Sequence, residues 1–177
     1  MDLRGNTSNN TVYADADGHI AYWHGNYVPK RNPSVNWAKA VDGTTTKNDW
    51  KGVHKVTETV YSIDPVNGWL QNCNSTPFTV AGTDSPDKNS YPKYMAPDGE
   101  NFRGVNAVRV LSQKNKLNLE SLIAARHDRK LTAFEYLIPA LTKAFEEYSY
   151  GGDNAYLHLE EPIKILKAWD YTVDTGS

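Results

Sequence analysis

Gly68-Trp69-Leu70-Gln71-Asn72-Cys73-Asn74-Ser75-Thr76-Pro77 places small amide-bearing side chains between a bulky aromatic ring and a rigid proline. Asparagine is a poor residue for the interior of a helix or strand, because its amide competes with the backbone for hydrogen bonds. If the segment is extended, Asn72 and Asn74 share one face, since side chains alternate along a strand. Two amides on one face can donate neutral hydrogen bonds to a developing oxyanion. The alternative role for the same side chains is to fix a loop.

Four further blocks precede this stretch in a fixed order. They are Asn10-Thr11-Val12-Tyr13-Ala14-Asp15-Ala16-Asp17-Gly18-His19-Ile20-Ala21-Tyr22, Gly25-Asn26-Tyr27-Val28-Pro29-Lys30-Arg31, Val41-Asp42-Gly43 and Asp49-Trp50-Lys51-Gly52. In order and spacing the five blocks resemble the β-subunit of the penicillin acylase family, whose members are N-terminal nucleophile hydrolases. The resemblance covers residues 9–109, and the helical C-terminal third fits it more loosely.

The resemblance implies catalysis of amide hydrolysis. In this family an N-terminal Ser attacks the amide carbonyl, and its own α-amino group is the base. It implies that Asn74 donates a hydrogen bond to the oxyanion and that Arg103 orients this amide. A surface ion pair is the alternative role for Arg103. Asn72 is a predicted substrate-binding residue, and Trp69 is a predicted contributor to an apolar acyl pocket.

The chain also departs from the family pattern. Residue 1 is Met, whereas the family's nucleophile is the first residue of the β-subunit and lies far upstream of the Tyr-Ala-Asp block. We therefore expect a fragment of a larger enzyme that holds half a site and is inactive alone. Its expected partners are the remaining α-subunit and β-subunit segments of the same precursor, and a small N-acyl substrate such as a β-lactam or an acyl-homoserine lactone. No cofactor or metal is expected in this chain, although calcium is possible in the full-length enzyme.

Composition limits the function classes. The 177 residues carry a formal net charge of −2 and a mean hydropathy of −0.65. No basic stripe predicts nucleic-acid binding, and no apolar run predicts a membrane span. The first residues lack an apolar signal segment, so we expect a periplasmic or secreted protein whose signal peptide is not in this chain.

The aromatic content supports a competing interpretation. Five Trp and 11 Tyr are typical of a β-rich core, but also of a non-catalytic binding module for sugars or peptides. Such a module predicts a flat, exposed platform of tryptophan rings. A hydrolase half-site instead predicts that Asn74 and Arg103 lie together at an open cleft.

Three further side chains are of types that often have a chemical role. Cys73 is the single cysteine, so an internal disulfide is excluded. No motif ties a histidine to it, and we expect it to pack between Asn72 and Asn74. His19 and His24, near the end of the first predicted hairpin, are expected to be exposed rather than metal ligands.

The pattern of the chain predicts an α+β fold, with a β-rich segment over residues 1–105 and a helical segment over residues 106–177. The two are expected to form one structural unit cut from a larger αββα sandwich. Truncation predicts an exposed edge or apolar face, and hence possible self-association.

Local signals predict the individual elements. Residues 11–14 and 19–23 form a predicted hairpin around Asp15-Ala16-Asp17-Gly18, and residues 55–61 alternate as a strand does. The polar stretch 79–103 is expected to wrap a surface or border a site. Helices are predicted over residues 119–127, 133–148 and 161–169, with Asn118 and Thr132 as N-caps. Pro139 is expected to kink or split the second of these.

Overall fold

The structure, a computed structural model, describes residues 8–113, 116–149 and 154–174, so residue 1 lies outside it. The chain divides into two compact units, Met1–Gln113 (unit 1) and Lys114–Ser177 (unit 2), and each is described by itself. Over the described residues, a small antiparallel sheet and one α-helix lie in unit 1, and the other α-helices lie in unit 2. The fold class is therefore α+β, as the sequence predicts. That the whole chain is one structural unit cut from a larger enzyme stays a prediction.

Three short strands form the sheet in unit 1. Strands β1 (Thr11–Ala14), β2 (Ile20–Trp23) and β3 (Tyr61–Ile63) pair antiparallel in the order β1-β2-β3. The register places Val12 opposite Tyr22, and Tyr22 opposite Ser62. Because β2 is the central strand, its residues Ala21 and Tyr22 are buried.

The hairpin between β1 and β2 is confirmed, and its turn chemistry explains it. Gly18 has φ +92°, a left-handed conformation that glycine adopts without strain. The carboxylate of Asp15 accepts hydrogen bonds from the backbone N–H groups of Asp17 at 3.0 Å and His19 at 2.9 Å. The turn is thus fixed by residues within it.

The predicted strand over residues 55–61 is wrong for most of its length. Val56–Glu58 is a turn of 3-10 helix, and the strand begins only at Tyr61. The carboxylate of Glu58 accepts from the backbone N–H of Lys55 at 3.0 Å, which closes the turn. This local capping bond outweighs the alternating pattern of apolar residues.

Two apolar clusters form the core of unit 1. Tyr22, Val80 and Ala81 are fully buried with Leu70 against them. The second cluster contains Val60, Met95 and Ala96, with Val28, Phe78, Tyr91 and Tyr94 packed on it. Burying each such aliphatic or aromatic side chain contributes roughly 1.5–3 kcal/mol. The clusters hold the segments before and after the Asn72–Asn74 loop.

The polar stretch 79–103 is built from short 3-10 turns and loops. The turns are Pro77–Thr79, Gly82–Asp84 and Lys88–Ser90. The helix that follows, α1 (Phe102–Ser112), begins four residues before the predicted change to a helical pattern at residue 106. The early start places Arg103 in the first turn of α1.

Unit 2 contains helices α2 (Leu119–Arg126), α3 (Thr132–Ser149) and α4 (Glu160–Ala168), with the 3-10 helix Asn154–Leu159 before α4. All three predicted helices are confirmed to within about one residue at each end.

The predicted split at Pro139 does not occur, because α3 continues through that residue. Neighbouring Ile138 is buried, so packing stabilises the turn that the missing N–H weakens. Within the described part of the chain, no helix has the length and apolar character needed to cross a membrane.

Candidate functional site

The loop that carries Asn74 is bent rather than extended. Asn74 has φ +54°, in the left-handed region that Asn tolerates better than most residues. Its backbone N–H donates to Oδ1 of Asn72 at 3.2 Å. The interpretation that the two amides share one face of an extended segment is therefore wrong, because the side chain of Asn72 folds onto the backbone. Asn72 therefore has the loop-fixing role, because its side chain holds the backbone N–H of Asn74.

Asn101, which the sequence analysis missed, attaches this loop to helix α1. Its Nδ2 donates to the carbonyl oxygens of Cys73 at 3.1 Å and Asn74 at 3.3 Å. Its Oδ1 accepts from the backbone N–H of Gly104 at 3.0 Å and so caps the helix. One side chain thus uses both ends of its amide to hold two segments together. An Asn immediately before Phe102 was the available signal for a helix start.

Arg103 bonds directly to the side chain of Asn74. Its Nη2 donates to Oδ1 of Asn74 at 3.4 Å. Because a guanidinium can only donate, the amide of Asn74 is oriented with Oδ1 toward the arginine and Nδ2 away from it. No acceptor among the described residues bonds to Nδ2 of Asn74. The site therefore presents a backbone-anchored, outward-facing amide donor.

The close approach of α1 to the loop requires a glycine. A Cβ atom at Gly104 would lie 2.6 Å from Oγ and 3.0 Å from Cβ of Ser75, and 2.3 Å from Oε1 of Glu100. Ser75 is itself buried at 3% exposure, so it has little room to move. Gly104 therefore allows the first turn of α1, with Arg103 on it, to lie directly against the loop.

A cavity of about 680 Å³ borders the loop. Its lining is largely polar and comprises Ser8, Asn9, Asn10, His24, Gly25, Asn26, Tyr27, Val28, Pro29, Arg31, Asn72, Asn74, Ser75, Tyr94, Met95, Pro97 and Asp98. Both predicted asparagines line it, as do four residues of the stretch 79–103, which is predicted to wrap a surface or border a site.

Trp69 and Arg103 are not among the lining residues. The ring of Trp69 packs against Gly82, where an added Cβ would meet it at 3.1 Å. Arg103 instead contacts Asn74, which does line the cavity. The role of Trp69 in an acyl pocket stays a prediction.

His24 is buried, so the expectation of an exposed histidine is wrong for this residue. Its Nε2 lies 3.1 Å from Oδ2 of Asp98, and its Nδ1 lies 3.1 Å from the hydroxyl of Tyr22. Burial lowers the pKa of His24, and the nearby carboxylate of Asp98 opposes that shift in part. Packing of Tyr22 in the core brings His24 inward, which the strand-end position did not indicate. His19 is exposed, as expected, with its Nδ1 2.8 Å from Oδ2 of Asp64.

Cys73 is half-buried between the two asparagines. Burial raises the pKa of its thiol, while the positive charge of Arg103 lowers it in part and Glu100 raises it. A raised pKa keeps the sulfur protonated near neutral pH, and a thiol is a poor nucleophile. A half-buried thiol of this kind fits the predicted packing role of Cys73.

Arg31 lines the cavity, although the sequence analysis did not select it. Its guanidinium carbon lies 5.2 Å from the ring centre of Trp37 and 5.5 Å from that of Trp50. Trp50 is exposed, while the other four tryptophans are at least half-buried. Over the described residues the tryptophans thus form no flat exposed platform. No group of three or more His, Cys, Asp or Glu side chains in the same residues could hold a metal ion.

The fold and the loop together define an α+β protein that holds an outward-facing amide donor beside a polar cavity. The family model described as penicillin amidase matches residues 1–177, and the chain belongs to that family. The resemblance read from the sequence is thereby confirmed.

One similar solved structure is a thermostable penicillin G acylase from Alcaligenes faecalis, with a TM-score of 0.61 and 20% sequence identity. The match covers 94% of this chain and 28% of that chain, so this chain spans less than a third of that protein's length. At this identity the likeness supports the fold.

Proposed function

We propose that this chain supplies the oxyanion-stabilising half of the active site of an amide hydrolase. The observation that carries the proposal is the oriented amide of Asn74, which has its Oδ1 bonded to Arg103 at 3.4 Å and lies beside a cavity of about 680 Å³. Membership of the penicillin amidase family supports the reaction class.

The chemistry follows from what the amide can do. When a nucleophile attacks the carbonyl carbon of an amide, the π electron pair moves onto the carbonyl oxygen. Nδ2 of Asn74 donates a hydrogen bond to that oxygen as its charge develops. The donor is preorganised, because Asn72 fixes the backbone N–H of Asn74 and Asn101 fixes its carbonyl oxygen. Little reorganisation is then needed during the reaction, and preorganised donors of this kind stabilise the developing charge most strongly.

The proposed nucleophile is an N-terminal Ser on another segment of the enzyme, with its own α-amino group as the base. An α-amino group has a pKa near 8, so a useful fraction is unprotonated near neutral pH. The proposed partners are the remaining α-subunit and β-subunit segments, arranged with this chain in an αββα sandwich. Any calcium ion would be held by those segments, and the proposed location is the periplasm or the exterior.

The proposed substrate is a small N-acyl compound such as a β-lactam or an acyl-homoserine lactone. Asn72 and Asn74 line the cavity, and this supports a role for both in contacting such a substrate. In this proposal the acyl group lies in an apolar pocket to which Trp69 contributes. The isolated chain is expected to be inactive, because the proposed nucleophile lies on another segment of the enzyme.

The experiment is a complementation assay with a chromogenic phenylacetyl amide. The purified chain is assayed alone, and again with the segment that bears the free N-terminal Ser supplied in trans. Activity is expected only in the second case. Asn74→Ala should then lower kcat by about 10²–10³, the usual loss for one oxyanion donor.

The matched control is Asn36→Ala. Asn36 is another exposed loop asparagine; like Asn72 it forms an Asx turn, accepting from the backbone N–H of Ala38 at 3.1 Å, but it does not line the cavity. Its loss should change kcat by less than about two-fold. The proposal fails if Asn74→Ala is as mild as Asn36→Ala, or if the chain hydrolyses the amide alone.

A further inference from the structure

We propose that Asp98 binds an ammonium group in the cavity, so that the enzyme accepts N-acyl substrates whose amine-bearing part carries a positive charge. Asp98 and Asn74 line the same cavity. The inference rests on the proposed function for its enzymatic meaning, although the binding site itself can be tested without turnover.

A histidine that the core holds in place fixes one oxygen of Asp98. Nε2 of His24 lies 3.1 Å from Oδ2 of Asp98, and Nδ1 of His24 lies 3.1 Å from the hydroxyl of Tyr22. Tyr22 is 1% exposed and His24 is 9% exposed, and burial lowers the pKa of His24, which favours the neutral ring. Because a carboxylate only accepts hydrogen bonds, Nε2–H of the neutral ring donates to Asp98, and Nδ1 accepts from Tyr22. The carboxylate is therefore oriented from its buried side.

The second oxygen of Asp98 is available to a ligand. Over the described residues, Oδ1 accepts no hydrogen bond, and the carboxylate has no ion pair apart from its contact with His24. Since a neutral histidine does not compensate the negative charge, a cation in the cavity is attracted to it. An ammonium group can donate to Oδ1, and such charge-assisted hydrogen bonds are stronger than those between neutral groups. The side chain of Asp98 is half-exposed, so a ligand can reach it.

Aromatic residues of the lining also favour a cation. Tyr27 and Tyr94 line the same cavity, and the face of a phenol ring attracts positive charge. The cationic residue of the lining, Arg31, lies beside two tryptophan rings and forms no ion pair with Asp98. Its charge disfavours ligands with several positive charges, so a single ammonium group suits the cavity best. The largely polar lining places that group on the amine-bearing part of a substrate rather than on an apolar acyl chain.

The test compares two probes of equal size, N-(2-aminoethyl)phenylacetamide, which is protonated near neutral pH, and the uncharged N-(2-hydroxyethyl)phenylacetamide. Each is titrated into the 177-residue chain in a calorimeter near neutral pH. We expect the ammonium probe to bind at least about five-fold more tightly than the hydroxyl probe. Raising NaCl from about 0.05 M to about 0.5 M should reduce that preference.

Nuclear magnetic resonance locates the bound probe. The ring resonances of His24 should shift on titration with the ammonium probe, because its Nε2–H donates to the carboxylate that binds the ligand. The ring of His19, which is exposed and pairs with Asp64, should not respond. A variant with His24→Gln assigns the signal.

Asp98→Asn should abolish the preference, because the amide keeps an acceptor for His24 but loses the negative charge. Asp17→Asn is the matched control, since it removes an exposed carboxylate that does not line the cavity, and it should retain the preference. Equal affinity of the two probes for the unmodified chain would overturn the proposal. So would the absence of measurable binding of the ammonium probe, or a preference that survives Asp98→Asn.

The unmodified chain, its salt dependence and the His24 signal keep the test decisive if Asp98→Asn does not fold. If the preference is found but Asn74→Ala leaves turnover unchanged, the proposed function fails while the ammonium site stands.

Discussion

Two asparagines cap helices in the two units, and they differ in what else they hold. Asn118 caps α2 in unit 2 by accepting from the backbone N–H of Ser121 at 2.8 Å, a partner three residues away. Asn101 caps α1 in unit 1 in the same way, but its Nδ2 also holds the carbonyl oxygens of Cys73 and Asn74. The same residue type thus caps a helix in one unit, and in the other it both caps a helix and holds the Asn72–Asn74 loop.

The two helix starts also differ in how closely they are packed. In unit 1 the first turn of α1 lies against the buried Ser75. In unit 2 the apolar residues Leu119 and Ile123 of α2 are 68% and 51% exposed. Packing therefore fixes the first helix start, whereas the second is fixed mainly by its local cap. We therefore expect substitutions at the start of α1 to alter the Asn74 loop, whereas substitutions at the start of α2 should affect only that helix.

The largest effect on stability is expected from Gly104→Ala in unit 1. The added Cβ would overlap Ser75 and Glu100, and overpacking of this kind costs about 1–3 kcal/mol. We expect a lower free energy of unfolding in urea titration. Gly43→Ala is the control, because an added Cβ there meets nothing within 4 Å. If the Gly104→Ala chain is as stable as the Gly43→Ala chain, close packing does not hold the start of α1, and the contrast between the two units is wrong.

A smaller effect is expected when the two caps are removed one at a time. Asn101→Ala and Asn118→Ala should each lower the free energy of unfolding by about 0.5–2 kcal/mol, as loss of an N-cap does. Only Asn101→Ala should also lower kcat of the complemented enzyme, because only that residue holds the carbonyl oxygen of Asn74. Equal kcat losses in the two variants would contradict the distinction between the units.

The smallest effect on stability is expected at the exposed apolar residues of α2. Replacing Leu119 and Ile123 by Gln should change the free energy of unfolding by less than about 0.5 kcal/mol each, because both side chains are largely in water. If this face mediates self-association, the same pair of changes should shift the chain toward monomer in sedimentation velocity. Unchanged association would assign that behaviour to another surface.

Local chemistry explains what the sequence predicts well. The hairpin turn is fixed by Asp15 and Gly18 within four residues, and the start of α2 is fixed by Asn118 and Ser121. Each signal acts over one turn of chain, so it can be read without knowing the fold. The proposed role of Asn74 came from the family resemblance rather than from spacing.

The features that the sequence did not predict correctly share a different physical cause. Residues 55–61 alternate as a strand does, but a capping bond from Glu58 competes with the alternation. His24 stands at a strand end, yet packing of the neighbouring Tyr22 and the partner Asp98 bury it. The bonds from Asn101 to Cys73 and Asn74 span 28 and 27 residues. Contacts of such separation depend on the folded chain and leave no periodic signal in the sequence.

The central claim is that Arg103 acts through Asn74 by orienting its amide, and a double-mutant cycle in the complemented enzyme tests it most directly. Arg103→Met should lower kcat/KM by about ten-fold when Asn74 is present, because the amide can then rotate away from the oxyanion. In the Asn74→Ala background the same change should have less than about a two-fold effect, since no amide remains to be oriented. The full loss from Arg103→Met in both backgrounds would contradict the account, because Arg103 would then act independently of Asn74.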